Sequence, residues 1–241
     1  MMASTTATLF NGIEVRALVK RYHLQPVLDQ LSLTINEGDF CILVGDNGAG
    51  KTTLLRILAG LVRPSQGEVT LSGLPNPSSP QLRRMIGFVG HQTMLYQDLT
   101  ALENLHHYAR LYHVDQLGKA VSQAIHALNL APVQDQPVRT LSRGMQQRLS
   151  LARAMLHNPS ILLLDEPYTG LDQEAASFFD VLLQNLHRQG RTILLSAHRP
   201  QRLLQMASHV AWLRDGKIHK HVPIKDLLNA PELAAYVQEV S

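Results

Sequence analysis

Gly45-Asp-Asn-Gly-Ala-Gly-Lys-Thr52 is the stretch on which the fold prediction depends, and it follows the apolar run Phe40-Cys-Ile-Leu-Val44. It matches the pattern G-x-x-x-x-G-K-[ST], in which glycines let the backbone wrap around phosphates and successive N–H groups form a cradle. Lys51 then reaches the β- and γ-phosphates, and the Thr52 hydroxyl ligates Mg²⁺. A glycine-rich turn without a ligand is the alternative, but it accounts for neither Lys51 nor Thr52. We therefore predict a nucleoside triphosphate site with the following binding residues: Gly45, Asp46, Asn47, Gly48, Ala49, Gly50, Lys51, Thr52 and Thr53.

Other apolar runs extend this strand–loop–helix unit into a sheet. Ile161–Leu164 and Thr192–Leu195 are continuous buried-strand patterns, each followed by a turn and a helix-like segment. That succession is typical of a parallel sheet with covering helices. The alternating stretches Ile13–Leu18 and Leu31–Ile35 suit half-exposed strands. The fold class predicted is α/β, a P-loop NTPase core with a mostly parallel sheet and an N-terminal antiparallel β subdomain.

The sequence has no strand pattern between about residues 93 and 157, where Leu99–His113 and Gln116–Leu130 have helical patterns. This block is interpreted as a helical lobe inserted between strands.

The remainder of the chain predicts small elements around a single domain, 1–241. Val210–Leu213 and Lys217–His219 form a hairpin across Asp215-Gly216. Residues 223–241 are a short helical tail, and residues 1–11 are a flexible one.

Composition excludes several classes of protein. Apolar residues make up 45%, the formal net charge is +3, and the pI of about 9.1 gives only weak support to nucleic-acid contact, so no nucleic-acid partner is expected. Cys41 is the one cysteine, which rules out a disulfide within the chain and suits a buried thiol. No apolar run approaches the ~20 residues of a membrane span, and the N-terminus lacks a secretory pattern. The protein is expected to stay on the cytoplasmic side.

Ile161-Leu-Leu-Leu-Asp-Glu-Pro167 places two carboxylates at the end of a buried strand. Neighbouring side chains on a strand point to opposite sides, so Asp165 is predicted to face Mg²⁺ and Glu166 an attacking water, as general base. A carboxylate that merely caps the next turn is the alternative. His198 follows another strand; alone it would be a solvated residue, but strand ends in a parallel sheet meet at one crevice, which places it near the γ-phosphate.

The segment from Thr140 to Leu156 predicts a helix capped by Ser142, with Leu149, Ala152 and Leu156 on its buried face. A helix N-terminus opened by serine and glycine suits an anion, because its free N–H groups and its dipole point the same way. The sequence therefore contains a second candidate phosphate site.

Together these segments resemble the ATP-binding cassette (ABC) ATPase family from about Ile13 to Lys220, in the order P-loop, glutamine after a strand, Ser-Arg-Gly helix start, Asp-Glu strand, Gly170-Leu-Asp172 and histidine. The resemblance implies that Tyr22 stacks on adenine. It implies that Gln92 contacts Mg²⁺ and the attacking water, and that Asp172 signals across a dimer. A turn aromatic at Tyr22 and a helix N-cap at Asp172 remain the alternatives.

The resemblance also implies what the second phosphate site does. Ser142, Arg143 and Gly144 would close over the ATP held by a second cassette, so that two chains, expected to be a homodimer, sandwich two nucleotides. The commonest form of this motif is Leu-Ser-Gly-Gly-Gln, and here Arg143 and Met145 depart from it. Arg143 either adds positive charge near the phosphate or points to solvent, and we favour solvent.

Three short sequence segments resemble the ATP-binding subunit of the cytochrome c maturation (haem exporter) system: Gly90–Leu105, Leu141–Met145 and Glu166–Asp172. The resemblance implies a peripheral subunit on the cytoplasmic face of the membrane, bound to integral membrane permease subunits. A transporter of another cargo is the main alternative. A chromosome-organising ATPase would need a long coiled coil, and a ribosome-acting one would normally carry two cassettes.

Three histidines of one helical segment, His106, His107 and His113, are interpreted as solvated residues. Haem ligation needs a matching apolar cavity, so this chain is not predicted to bind haem.

Overall fold

The computed structural model describes residues 12–23, 25–75 and 79–239. The flexible tail predicted for residues 1–11 lies outside the described residues. The strands are β1 Gly12–Tyr22, β2 Gln25–Asn36, β3 Phe40–Val44, β4 Gln66–Leu71, β5 Leu74–Pro75, β6 Ile86–Val89, β7 Ile161–Asp165, β8 Thr192–Ser196, β9 His209–Arg214 and β10 Lys217–Pro223. The α-helices are α1 Lys51–Leu58, α2 Pro80–Arg83, α3 Ala101–Leu111, α4 Leu117–Ala127, α5 Arg143–Met155, α6 Gln173–Arg188 and α7 Pro231–Glu239.

The central sheet has six strands in the order β10-β9-β3-β8-β7-β6. All its pairings are parallel except that of β10 with β9. The three continuous apolar runs form β3, β7 and β8, and every residue of these strands is buried. A strand buried on both faces needs no polar alternation, which is why these runs identified the core.

A second, antiparallel sheet has the order β2-β1-β4-β5. β1 and β2 include the two predicted alternating stretches and extend beyond them at both ends. Three strands were not predicted from the residue pattern: β4 and the two-residue β5 in this sheet, and β6 in the central sheet. β4 begins Gln-Gly-Glu and β6 is four residues long with a glycine inside, so neither has a strong strand pattern. The α/β fold class, with its antiparallel subdomain and helical lobe, is confirmed.

The block from 93 to 157 is helical, as predicted, apart from an isolated bridge between Thr100 and Pro137. Helix α3 begins after Thr100, which forms a capping box with Glu103. Helix α4 is shorter than the predicted 116–130, because Asn129 takes a left-handed backbone conformation (φ 52°).

Two apolar clusters lie on the two faces of the central sheet. One joins the sheet to the helical lobe, α6 and α7, and the other joins it to α1 and the antiparallel sheet. Cys41 is fully buried in the second cluster, as predicted, and burial raises the pKa of its thiol. The predicted hairpin is β9–β10, and the C-terminal segment is a 3₁₀ turn, Ile224–Asn229, followed by α7. Among the described residues, no helix combines the length and the apolar character that crossing a bilayer requires.

Candidate active site

The phosphate-binding loop connects β3 to α1 at the carboxyl end of the central sheet. Glycine is required at two of its positions. A Cβ on Gly45 would lie 2.2 Å from the Leu213 carbonyl oxygen, and one on Gly50 (φ 108°) would lie 2.7 Å from the Leu28 side chain. Asp46, Asn47 and Gly48 are exposed between these two points, and Thr53 lies in the first turn of α1. The N-terminus of α1, whose first backbone N–H groups have no helical partners, therefore directly follows the exposed part of the loop.

Lys51 is 5% exposed, and its ammonium donates to the Gly45 carbonyl at 2.6 Å and to the Asp46 carbonyl at 3.0 Å. Burial lowers the pKa of Lys51, and the carboxylates of Glu166, Asp165 and Asp46 oppose that shift. The cation thus lies among three acids, and its present partners are neutral carbonyls that phosphate oxygens can replace.

Asp165 ends β7 and is 1% exposed. Its Oδ1 accepts hydrogen bonds from Thr52 Oγ1 at 3.1 Å and from Ser196 Oγ at 2.9 Å. Its Oδ2 is buried with no partner among the described residues. A buried carboxylate oxygen without a donor suits a cation, so Thr52 and Asp165 fit Mg²⁺. No group of three or more His, Cys, Asp or Glu side chains in the described ranges forms a metal site alone, as expected where phosphates supply the other ligands.

Ser196 was not identified from the sequence, yet it organises both acids. It pairs with Asp165 in the parallel register of β7 and β8, and its Oγ accepts from the Glu166 backbone N–H at 3.0 Å. The available signal was a polar residue ending an apolar strand.

Glu166 and His198 line one cavity of about 390 Å³. Glu166 lies one residue beyond β7 with a left-handed backbone (φ 49°), and its Oε2 accepts from Thr169 Oγ1 at 3.4 Å. The direction of the Glu166 side chain therefore depends on this turn. The alternation of side chains along a strand, on which the prediction relied, does not apply to a residue beyond the end of β7. His198 lines the same cavity and therefore lies at the same end of the sheet as Glu166, and its contact with the γ-phosphate stays a prediction.

Gln92 lies elsewhere. It is exposed after the edge strand β6 and lines a cavity of about 520 Å³ together with Arg143. Arg143 is exposed and reaches the His91 carbonyl at 3.4 Å through Nη2. Gln92 thus lies beside Arg143, and it is not among the residues that line the cavity of Glu166 and His198.

Ser142 caps α5, as predicted: its Oγ accepts from the Met145 N–H at 3.3 Å. Leu149 and Ala152 of this helix and Leu156, its C-cap, are buried, as predicted. Ser142 is exposed, and Gly144 follows in the first turn of the helix. Within the described residues, no hydrogen bond joins Ser142, Arg143 or Gly144 to the phosphate-binding loop.

Tyr22 and Asp172 have local partners. Tyr22 is 44% exposed, and the Lys20 ammonium lies 4.9 Å from the centre of its ring. Asp172 is the N-cap of α6, accepting from the Ala175 N–H at 2.8 Å, which confirms the capping alternative.

Two polar networks hold the site loops, and the sequence indicated neither. In the first, Asp180 of α6 accepts from the Tyr168 hydroxyl at 2.9 Å and from Arg202 Nε at 2.6 Å. Tyr168 follows Glu166 by two positions and Arg202 follows His198 by four, so Asp180 joins the two loops.

The second network joins α5 and the residues after it to β6 and the loop that follows it. Four side chains donate to main-chain carbonyls there: Arg143 to His91, Ser150 to Thr93, Arg153 to Phe88 and His157 to Ile86. Burial lowers the pKa of His157, which favours its neutral ring.

Comparisons with known proteins agree with this geometry. The ABC transporter family profile matches residues 28–169. The chain is 35% identical over 192 residues to the ABC transporter ATP-binding protein NatA of Bacillus subtilis, covering 78% of each chain. It is 38% identical to the Nod factor export ATP-binding protein I of Sinorhizobium fredii, with 86% of this chain and 61% of that one covered. It is 31% identical to the spermidine/putrescine import protein PotA of Nitratidesulfovibrio vulgaris, with 96% and 64% covered.

A solved structure is also similar: the dimeric, post-hydrolysis ATP-binding cassette MJ0796 bound to ADP and Pi. It has a TM-score of 0.80 and 27% identity, with 88% of this chain and 98% of that one covered. The phosphate-binding loop, the buried acid beside Thr52 and these likenesses lead to one conclusion: the chain belongs to the ABC transporter family, as an ATP-binding and ATP-hydrolysing subunit.

Proposed function

We propose that this chain, as a single cassette over residues 1–241, binds Mg-ATP with the loop 45–53 and hydrolyses it with Glu166 as general base. The observation that carries the proposal is the shared cavity of Glu166 and His198. Glu166 follows directly on Asp165, which bonds Thr52 at the start of α1. The end of β7 therefore supplies both Asp165, which lies beside the phosphate-binding loop, and Glu166, the proposed base for the attacking water.

Each residue then has a defined task. Thr52 and Asp165 hold Mg²⁺, which, when bound, neutralises charge on the β- and γ-phosphate oxygens. Lys51 exchanges its two carbonyl partners for phosphate oxygens. The water oxygen bonds to the γ-phosphorus, the bond from that phosphorus to the β–γ bridging oxygen breaks, and Glu166 accepts the proton that the water releases.

Three residues assist. His198 orients the γ-phosphate, and Tyr22 stacks on the adenine from its exposed position at the end of β1. Gln92, which links the core to the helical lobe, would contact Mg²⁺ and the attacking water.

Ser142, Arg143 and Gly144 serve the nucleotide of a second copy. Ser142 and Gly144 begin a helix whose N-terminus is exposed, and no hydrogen bond within the described part of the chain ties them to their own loop 45–53. The similar MJ0796 cassette is a dimer. Asp172 keeps its capping role and, in this proposal, also lies at the contact between copies.

The cassette is proposed to work peripherally, on the cytoplasmic face of a membrane, with integral permease subunits and without nucleic acid. Haem export for cytochrome c biogenesis is the cargo suggested by the segments Gly90–Leu105 and Glu166–Asp172, with haem carried by the partners and not by this chain. Two of the relatives named above are named for other cargoes, Nod factor and spermidine/putrescine, so another exported or imported substrate is the alternative. Cells dependent on this chain should lose holocytochrome c when it carries Glu166→Gln. Normal holocytochrome c would contradict the haem assignment and leave the ATPase proposal intact.

The composite site is tested with purified Glu166→Gln protein by light scattering. Without its base the protein should retain ATP, so its mass should double when Mg-ATP is added. Adding Ser142→Arg should abolish the dimer while leaving ATP bound to single chains. Glu174→Gln, an exposed acid in the first turn of α6, is the matched control and should remain monomeric. A Glu166→Gln protein that binds ATP and stays monomeric would mean either that pairing needs the membrane subunits or that Arg143 and Met145 have disabled the composite site.

A further inference from the structure

The C-terminal helix α7 contacts the phosphate-binding loop. The Tyr236 hydroxyl donates to Asp46 Oδ1 at 3.1 Å, across 190 positions of sequence. The Tyr236 ring stacks on Trp212 of β9, with ring centres 5.0 Å apart and an angle of 29°. Trp212 pairs with Val44, the residue before the loop. The Tyr236–Trp212 stacking and the Tyr236–Asp46 hydrogen bond therefore lie at the same end of β3.

Helix α7 is firmly seated. Leu233 and Val237 are buried in the apolar cluster that includes Leu203 and Trp212. The Gln201 side-chain amide donates to the Val237 carbonyl. Gln201 lies three positions after His198, so α7 contacts both the phosphate-binding loop and the segment that carries His198.

Asp46 is an electrostatic problem for this site. Its carboxylate belongs to the loop that must surround the phosphates of the nucleotide. The negative carboxylate and the negative phosphates repel each other. Tyr236 binds this carboxylate on the β9 side of β3, whereas Asp165 and Glu166 lie on the β8–β7 side. Burial, together with the hydrogen bond to Asp46, raises the pKa of Tyr236 to about 12, so the phenol is a neutral donor at neutral pH.

We propose that Tyr236 is a positioning residue for nucleotide binding: its hydroxyl holds the Asp46 carboxylate turned away from the phosphates and thereby couples ATP binding to the position of α7. The inference rests on the proposed nucleotide site. It adds a C-terminal element to that site, which the resemblance from Ile13 to Lys220 does not include.

The first test is Tyr236→Phe, which removes the hydroxyl and keeps the stacked ring. The KM for ATP should rise about threefold to tenfold, the range for one ordinary net hydrogen bond, because solvent near the surface weakens the bond to the charged Asp46 carboxylate; kcat should change less than twofold. Tyr112→Phe, the same change in the helical lobe, is the matched control and should leave KM unchanged. In an Asp46→Asn background, Tyr236→Phe should have no further effect on KM, because no charge remains to be turned away.

The second test uses Trp212, which is the single tryptophan of the chain. Adding Mg-ADP should change Trp212 emission in the unmodified protein. In Tyr236→Phe this change should be lost, although calorimetry still detects binding.

Two results would overturn the proposal: an unchanged KM in Tyr236→Phe, or constant Trp212 emission in the unmodified protein while calorimetry records ADP binding. Failure of the unmodified protein to bind any nucleotide by calorimetry would instead contradict the proposed function.

Discussion

Replacing Asp180 by Asn tests whether the network between the two catalytic loops stabilises the fold. Asp180 accepts from the Tyr168 hydroxyl at 2.9 Å and from Arg202 Nε at 2.6 Å. Asn keeps the size of the side chain, but it is uncharged and has one acceptor oxygen instead of two. The variant therefore retains at most one of these two bonds. Its acceptor is then a neutral amide oxygen and no longer a carboxylate.

The expected cost follows from burial. A hydrogen bond to a charged group contributes about 1.5–3 kcal/mol, and the Arg202 and Asp180 side chains are only 32% and 20% exposed. We expect the free energy of unfolding to fall by about 2 kcal/mol, after allowing for partial screening by solvent. In a protein of this size each kcal/mol moves Tm by roughly 2–4 °C, so Tm should fall by roughly 4–8 °C.

Asp98→Asn provides a matched control. Its pair with Arg139 is 2.5 Å long, but the side chains are 90% and 59% exposed. Exposed pairs contribute about 0–1 kcal/mol, so Tm should move by less than about 4 °C. Both variants are measured by circular dichroism melting in the same buffer. Equal shifts, or a larger shift for Asp98→Asn, would refute the argument that burial decides the strength of these pairs.

Three further variants test other parts of the structure. Ser196→Ala removes a donor to Asp165 and should lower kcat about tenfold or more, since a bond to a charged group is lost; steady-state ATPase rates near the unmodified value would contradict this. His157 has a pKa below its ordinary 6.5, so its contribution to stability is present above that pH and is lost as the pH falls through the lowered value. His157→Gln should therefore flatten the loss of stability measured by urea unfolding between about pH 7 and pH 5, and an unchanged slope would argue against it. Gly87→Ala should destabilise the fold by about 1–3 kcal/mol, because its Cβ would lie 2.8 Å from a main-chain carbonyl oxygen. Gly118→Ala, with open space around it in α4, should stabilise the fold by about 0.5–1 kcal/mol. Changes of the same sign in both variants, measured by urea unfolding, would contradict the packing argument.

Local patterns predicted the centre of the fold well. The run Phe40–Val44, the glycine loop and Lys51 lie side by side in the sequence, so their structure depends on short-range sterics that the sequence shows directly. The caps at Ser142 and Asp172 were likewise predictable, because a cap bonds an N–H three positions away.

Relations between distant segments were not predictable. The bond between Ser196 and Asp165 depends on the register of two strands, and the bond between Tyr236 and Asp46 depends on where the last helix packs. The direction of Glu166 depends on a left-handed residue that no pattern marked. These features arise from tertiary packing, and single-sequence periodicity contains no record of it.

The donors along α5 also change what the edge of the sheet can do. In β6 the carbonyl oxygens of Ile86 and Phe88 accept from His157 and Arg153, whereas the oxygen of Met85, the residue before β6, accepts from the Ile161 N–H next to it. An open strand edge offers unpaired groups to any other chain, but here the outward acceptors are already bonded to side chains. A further strand could join at β6 only by breaking these bonds. Two copies of this chain are thus kept from pairing edge to edge through β6, and other surfaces are left to bring them together.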